Sequence, residues 1–262
     1  MGKYNFDEYI ERRGTGSSKW DGFESRFPGY NAKGAIPMWV ADMDFTAPYE
    51  VIEAIKKKAA LGIYGYPAPR GEGFNNAVKG WLKKRHGLEI TDESIVITQG
   101  VVPAITYAVQ AFTNEGDGVL IQPPVYYPFK DRCITYNKRK AVENPLIEKD
   151  GVYTIDFEDF EKKASDPNTK LFILCSPHNP VGRVWSKEEL EKISDICQRH
   201  NVLIFSDEIH SDLIMKGFKH TPTLLAAENK NIISAYAASK TFNIAGLRTS
   251  VIVIKDKEIR EK

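Results

Sequence analysis

What most constrains this 262-residue chain is a succession of short β-branched runs: Ile95–Thr98, Val119–Ile121, Leu171–Leu174, Val202–Phe205, Ile232–Ser234 and Val251–Ile254. A strand with one face in water would alternate apolar and polar residues, and these do not. Helical stretches, notably Val102–Phe112 and Lys187–His200, separate several of them. Strands that are apolar on both sides need cover on both faces, and intervening helices supply it. The pattern therefore predicts an α/β chain with a mostly parallel sheet sandwiched by helices. With 42% hydrophobic and 27% charged residues, such a chain can bury a sizeable core without covalent staples.

Residues 1 to about 46 read differently. They are irregular and rich in glycine, arginine and aromatic residues, as expected of an N-terminal arm rather than a domain with its own core. A helix is expected after Pro48, with Val51, Ile52, Ala54, Ile55 and Ala59 on one face. A loop rich in Tyr, Gly and Pro spans 63–73, and a second helix, Phe74 to His86, is stopped by Gly87. The expected organisation is an N-terminal arm with part of a small domain over 1–46, a large domain over 47–255 and the start of a truncated C-terminal segment at 256–262.

Charge and cysteine content exclude whole classes of function. Lys and Arg total 36 against 35 Asp and Glu, a net charge of +1, so no basic face for nucleic acid or an anionic membrane is expected. No run reaches the roughly 18 apolar residues of a membrane span, and the first residues lack the apolar core of a secretory signal. Cys133, Cys175 and Cys197 are odd in number and form no C-x-x-C pair, which predicts a reduced, cytoplasmic protein without structural zinc. His178, His210 and His220 are not spaced as metal ligands, and no metal is expected. There is no G-x-S-x-G elbow, no G-x-G-x-x-G fingerprint and no P-loop.

In open parallel sheets, ligands bind beyond the carboxyl ends of the strands. Here a polar cluster follows run after run: Thr98-Gln99-Gly100, Gln122-Pro123-Pro124-Val125-Tyr126-Tyr127, Ser176-Pro177-His178-Asn179-Pro180, Ser206-Asp207-Glu208-Ile209-His210 and Ala237-Ala238-Ser239-Lys240-Thr241. Gly100, Val101 and Val102 could offer amides to a phosphate at a helix start, or simply form a turn. Asp207 could face a cationic ring nitrogen, or cap a helix. Lys240 could be an imine-forming amine, or snorkel to the surface. Arg248 could pair with phosphate or with a surface carboxylate. Asn179 could donate to a phenolate or serve a turn, and Tyr126 and Tyr127 could stack on a flat ring or fill the core.

Order and spacing make the ensemble specific. Ser-Pro-His-Asn-Pro-Val-Gly at 176–182, Ser-Asp-Glu-Ile-His at 206–210 and Ser-Lys-Thr-Phe-Asn-Ile-Ala-Gly-Leu-Arg at 239–248 together resemble the pyridoxal-phosphate enzymes of fold type I, class I/II aminotransferase family. Arg12-Arg13-Gly14-Thr15 with Lys19-Trp20-Asp21, and the stretch from Pro37 to Phe45, resemble its cystathionine β-lyase branch, which includes the maltose-regulon-modulator type. The resemblance runs from about residue 4 to 255.

The resemblance implies pyridoxal 5′-phosphate as cofactor, joined through a carbon–nitrogen linkage to Lys240. It implies Asp207 at the ring nitrogen, Asn179 at the ring oxygen and Tyr126 stacked on the ring. The phosphate would be held by Gly100, Val101, Val102, Ser239 and Arg248. Tyr66, with Gly71, would reach the phosphate of the second subunit of a homodimer. His210 stands where many aminotransferases carry a tyrosine that touches the ring oxygen, a departure that fits the lyase branch. The implied reaction is α,β-elimination of cystathionine or another cysteine S-conjugate to a thiol, pyruvate and ammonia. The alternatives are transamination on the same fold and an inactive or regulatory form. In the family a C-terminal small domain carrying an arginine for the substrate carboxylate follows this point. That domain is expected to be absent from these 262 residues.

Overall fold

The computed structural model describes residues 4–31, 34–66, 72–227 and 230–262. In chain order its helices are α1 (Phe23–Arg26), α2 (Tyr49–Ala59), α3 (Glu72–His86), α4 (Val101–Phe112), α5 (Phe157–Ala164), α6 (Lys187–Arg199), α7 (Thr223–Ala226), α8 (Ala238–Thr241) and α9 (Lys257–Glu261). Its strands are β1 (Ile95–Thr98), β2 (Gly118–Ile121), β3 (Lys140–Glu143), β4 (Ile147–Lys149), β5 (Val152–Thr154), β6 (Thr169–Cys175), β7 (Leu203–Asp207), β8 (Ile232–Tyr236) and β9 (Ser250–Ile254). They fall into two compact units, Met1–Pro67 with Ala238–Leu247, and Ala68–Ala237 with Arg248–Lys262.

The larger unit is built on a sheet that, among the described residues, has seven strands in the order β1-β9-β8-β7-β6-β2-β3. β9 runs antiparallel to β8 and β1, and every other pairing in this sheet is parallel. β1 therefore points the same way as β8, and the mostly parallel α/β sheet read from the apolar runs is the one observed. Several strands run further than the apolar residues alone suggested. β7 continues through Ser206 and Asp207 because both stay in register with β6, Leu174 beside Ser206 and Cys175 beside Asp207. The edge strand β3 and the β4–β5 hairpin were not anticipated, because Lys140–Glu143 mixes charged and apolar residues as a loop does. Pairing to the buried β2 decides the matter for β3.

Successive residues of a strand face opposite ways, and the sheet separates two cores accordingly. Leu203 and Phe205 pack with Val101, Ala104, Ile105 and Val109 of α4. Val202 and Ile204 pack with Leu190, Ile193 and Ile196 of α6 on the other face. Each fully buried Val, Ile, Leu or Phe side chain among these contributes about 1.5–3 kcal/mol. α6 starts in a capping box, Ser186 accepting from the Glu189 amide while Glu189 accepts from the Ser186 amide. No helix among the described residues is long and apolar enough to cross a membrane.

The smaller unit contains α1, α2 and α8. α2 forms where the apolar periodicity placed it, yet it buries none of its residues, and Tyr49 and Ile55 are exposed.

Candidate active site

Asp207 ends β7, flanked in register by Cys175 of β6 and Ala235 of β8. It is 5% exposed, and its Oδ1 accepts from the Ile209 amide at 3.1 Å. Its charge is felt by side chains from separate segments. Burial and then the Asp207 charge push the Cys175 thiol pKa up. Burial, Tyr127 and Asp207 raise the Tyr126 phenol. Burial raises the Cys133 thiol to about 11, with Asp207 adding to it. A carboxylate in such surroundings is costly without a cationic partner. His210 follows in the next turn, half-buried, its carbonyl accepting from the Leu213 amide at 2.9 Å.

The loop after β6 lies beside this carboxylate. The Asn179 amide N–H donates to Cys175 Sγ at 3.2 Å, while its half-buried side-chain amide has no partner among the described residues. His178 is buried, 3.2 Å from the Gln122 carbonyl through Nε2 and edge-on to Trp185. A carbonyl only accepts, so Nε2 carries the proton and the buried Nδ1 is left without one. Burial lowers the pKa of His178 to about 4, so at neutral pH it is an uncharged tie between two loops. After β2, the half-buried Tyr126 ring meets Phe129 edge-on, with centroids 5.7 Å apart.

Gly100 joins β1 to α4 at φ 119°, ψ 159°, a conformation that needs glycine. No side chain among the described residues caps α4, and no acidic residue lies in its first turn. The Ala104 amide bonds to Gly100 O and Pro103 has no N–H, so the amides of Val101 and Val102 are the donors without an intrahelical acceptor. An anion is the natural occupant of such an end. Antiparallel β9 begins on the rim where the parallel strands end, with Ser250 Oγ 2.6 Å from Thr98 Oγ1. That direction puts Arg248, exposed and at φ 47°, on the rim of Gly100.

Of the residues expected to form the site, Gly100, Val101, Val102, Tyr126, Asn179, Asp207, His210 and Arg248 thus belong to the larger unit, at the strand ends. Ser239, Lys240 and Tyr66 belong to the smaller one. There, Lys240 is half-buried in α8 and its Nζ donates to Ala41 O at 3.2 Å, while Tyr66 is fully exposed. Gly71 lies outside the described residues.

The arm motifs prove to be one ionic cluster. Arg12 binds Asp42 and Asp44 at 2.5 and 2.7 Å, and Lys19, 6% exposed, binds Asp44 at 2.6 Å and Asp42 O at 3.1 Å. Trp20 Nε1 adds a bond to Asp44 at 2.9 Å. The spacing of Asp42 and Asp44 is the signal for this arrangement, since alternate residues of an extended chain share a side. The Asp21 carboxylate accepts from the amides of Gly14, Gly16 and Ser17, folding the loop between the two cations. A cavity of about 620 Å³ in this unit is lined by Arg12, Asp42, Asp44 and Asn243, among others.

Residues 36–262 match the family of class I and II aminotransferases. Cystathionine beta-lyase PatB of Bacillus subtilis is 51% identical over 260 residues, covering 98% of this chain and 66% of that protein. The crystal structure of cystalysin from Treponema denticola, which contains a pyridoxal 5′-phosphate cofactor, superposes with a TM-score of 0.92 at 47% identity, over 98% of this chain and 65% of that one. The pyridoxal-phosphate-bound C-S lyase of Staphylococcus hominis gives a TM-score of 0.92 at 39% identity, over 99% of this chain and 65% of its own. The chain therefore spans just under two thirds of the length of these relatives.

Proposed function

The chain belongs to the class I and II aminotransferase family, and on that premise we propose that it carries the cofactor-binding part of a pyridoxal-phosphate-dependent carbon–sulfur β-lyase. The observation that carries the reading is Asp207, a buried carboxylate at the end of a central strand, in register beside Cys175. The side chains around it fit the cofactor. Asp207 suits a protonated ring nitrogen, Tyr126 a ring face and the unpartnered amide of Asn179 a ring oxygen. The Val101 and Val102 amides, at the Gly100 turn, suit a phosphate, with Arg248 on the same rim; Ser239, in the smaller unit, is a phosphate ligand that only the family resemblance adds. His210 completes the set in the turn after Asp207.

When bound, pyridoxal phosphate supplies an electron sink for the pair released at the substrate Cα. Asp207 would keep the ring nitrogen protonated. Lys240 would hold the cofactor aldehyde and, once the substrate amine has taken its place, would take the Cα proton as general base. The Cβ–S bond would break with its electron pair on sulfur, which takes up a proton, and water would hydrolyse the remaining three-carbon unit to pyruvate and ammonia. The relatives above support a sulfur-containing amino acid such as cystathionine as substrate. The same reading makes the protein a cytoplasmic homodimer, with exposed Tyr66 reaching toward the phosphate of the second copy.

The test is to load the chain with pyridoxal phosphate, reduce it with borohydride and map the adduct, which should lie on Lys240. Cystathionine is then added without a 2-oxo acid. Pyruvate release supports the lyase, and strict dependence on an acceptor would establish an aminotransferase instead.

A further inference from the structure

We infer that Asn243 is a positioning residue for the Lys240 amine, acting through the chain segment 41–45; the inference rests on the assignment of Lys240 as the cofactor-binding lysine. Asn243 lies just past α8 at φ 54°, a left-handed conformation that asparagine tolerates better than most residues. Its side-chain amide is fully committed to one stretch of backbone. Oδ1 accepts from the Met43 amide at 3.0 Å, and Nδ2 donates to Met43 O at 3.0 Å and to Phe45 O at 2.7 Å.

A primary amide that pairs with both the N–H and the C=O of one residue does what a neighbouring strand would do, and it fixes that residue's register. Two residues before Met43, Ala41 O accepts the hydrogen bond from Lys240 Nζ. The acceptor on which the amine rests is therefore set by a side chain from the amine's own turn. The other side of the segment is held separately: Arg12 donates to Met43 O at 3.1 Å, and Arg12 and Lys19 bind Asp42 and Asp44. Lysine has a long, flexible stem with much rotamer entropy to lose. A fixed carbonyl that takes one of its N–H groups directs the remaining lone pair, which is what attack on an aldehyde and abstraction of a Cα proton both need.

Asn243→Gly keeps the left-handed backbone and removes the clamp, while Asn243→Asp keeps the Met43 acceptor and sets a carboxylate against two carbonyls. The 262-residue chain and both variants are mixed with increasing pyridoxal phosphate, quenched with borohydride over time, and mapped for adduct on Lys240. Both variants should lower the limiting rate about tenfold, the scale of losing the one bond from Lys240 to a fixed Ala41 carbonyl, at an unchanged half-saturating cofactor concentration. Hydrogen exchange at the Met43 amide should quicken in Asn243→Gly. Without cofactor, trinitrobenzenesulfonate should label Lys240 about threefold faster in Asn243→Gly, because its amine has lost a fixed acceptor. An unchanged limiting rate and unchanged labelling in Asn243→Gly would overturn the inference, as would a rate loss matched by weaker cofactor saturation. If the unaltered chain forms no adduct on Lys240, the cofactor assignment itself fails, and the labelling comparison alone decides the positioning role.

Discussion

Asp207 and Glu208 are adjacent in the chain but serve opposite faces of the sheet. Asp207 lies on the α4 face with Cys175 and Tyr126, while Glu208 is fully buried on the α6 face. There Glu208 accepts from the Tyr236 and Ser234 hydroxyls at 2.8 and 3.0 Å and from the Thr223 amide at 3.1 Å, and lies 2.7 Å from His220 Nε2. Burial alone would raise its pKa, but the bonds from His220, Tyr236 and Thr223 hold it below the usual range. Glu208 thus ties β8 and the segment before α7 to the end of the strand that presents Asp207. Sequence reasoning gave it no role, because a Glu beside a candidate catalytic Asp carries no local mark of such a network.

Glu208→Ala would leave several buried donors without an acceptor. The expected loss is about 3–5 kcal/mol of stability, read as a lower urea midpoint at unchanged slope. Tyr236→Phe, which removes one donor and leaves the carboxylate its other partners, should cost about 1 kcal/mol. Equal losses in the two variants would contradict this description of the network.

Asp207→Asn should fold and still accept cofactor while losing activity. An amide cannot hold the ring nitrogen protonated, and losing a buried charge partner corresponds to about a hundredfold or more in rate. Pyruvate release from cystathionine, normalised to borohydride-trapped Lys240, reads this directly. Activity within a few-fold of the unaltered chain would place the electron-sink partner elsewhere.

Gly100→Ala should weaken the phosphate end of the site. An added Cβ meets only Pro103 Cδ at an ordinary 3.6 Å, so the penalty comes from φ 119° and not from crowding. A side chain held there costs about 1–3 kcal/mol. The loop would relax and redirect the Val101 and Val102 amides, raising the half-saturating cofactor concentration about tenfold or more. Cofactor titration followed by absorbance checks it, with urea unfolding to separate lost stability from lost affinity.

Acid should loosen the arm before it unfolds the larger unit. Partial burial opposes ionisation of Asp44, yet hydrogen bonds from Lys19, Trp20 and Arg12 depress its pKa to about 2. A group depressed in the folded state stabilises fully above its unfolded value near 4, and that contribution drains away as the pH falls toward 2. Its exposure keeps the effect modest. The difference in tryptophan fluorescence between the unaltered chain and Asp44→Asn should therefore be full above about pH 4 and vanish as the pH falls toward 2. No pH dependence of that difference would mean that the cluster does not hold Trp20.

The amino-acid order alone determined the layered α/β architecture, because burial on both faces and strand–helix alternation are local patterns that only a covered, mostly parallel sheet satisfies. The same order marked Gly100, Asn179, Asp207, Lys240 and Arg248, since their residue types recur at strand ends with a specific spacing. Tertiary structure decided what depends on partners distant in the chain. Lys140–Glu143 is a strand because β2 lies beside it, and Arg248 reaches the rim because β9 runs antiparallel. Asp42 and Asp44 find Arg12 and Lys19 between 23 and 32 positions away, Asn243 finds Met43 across 200, and Glu208 gathers its donors from two later elements. Hydrogen bonds and ion pairs of that reach leave no periodicity in the sequence, and they exist only once folding has brought their partners together.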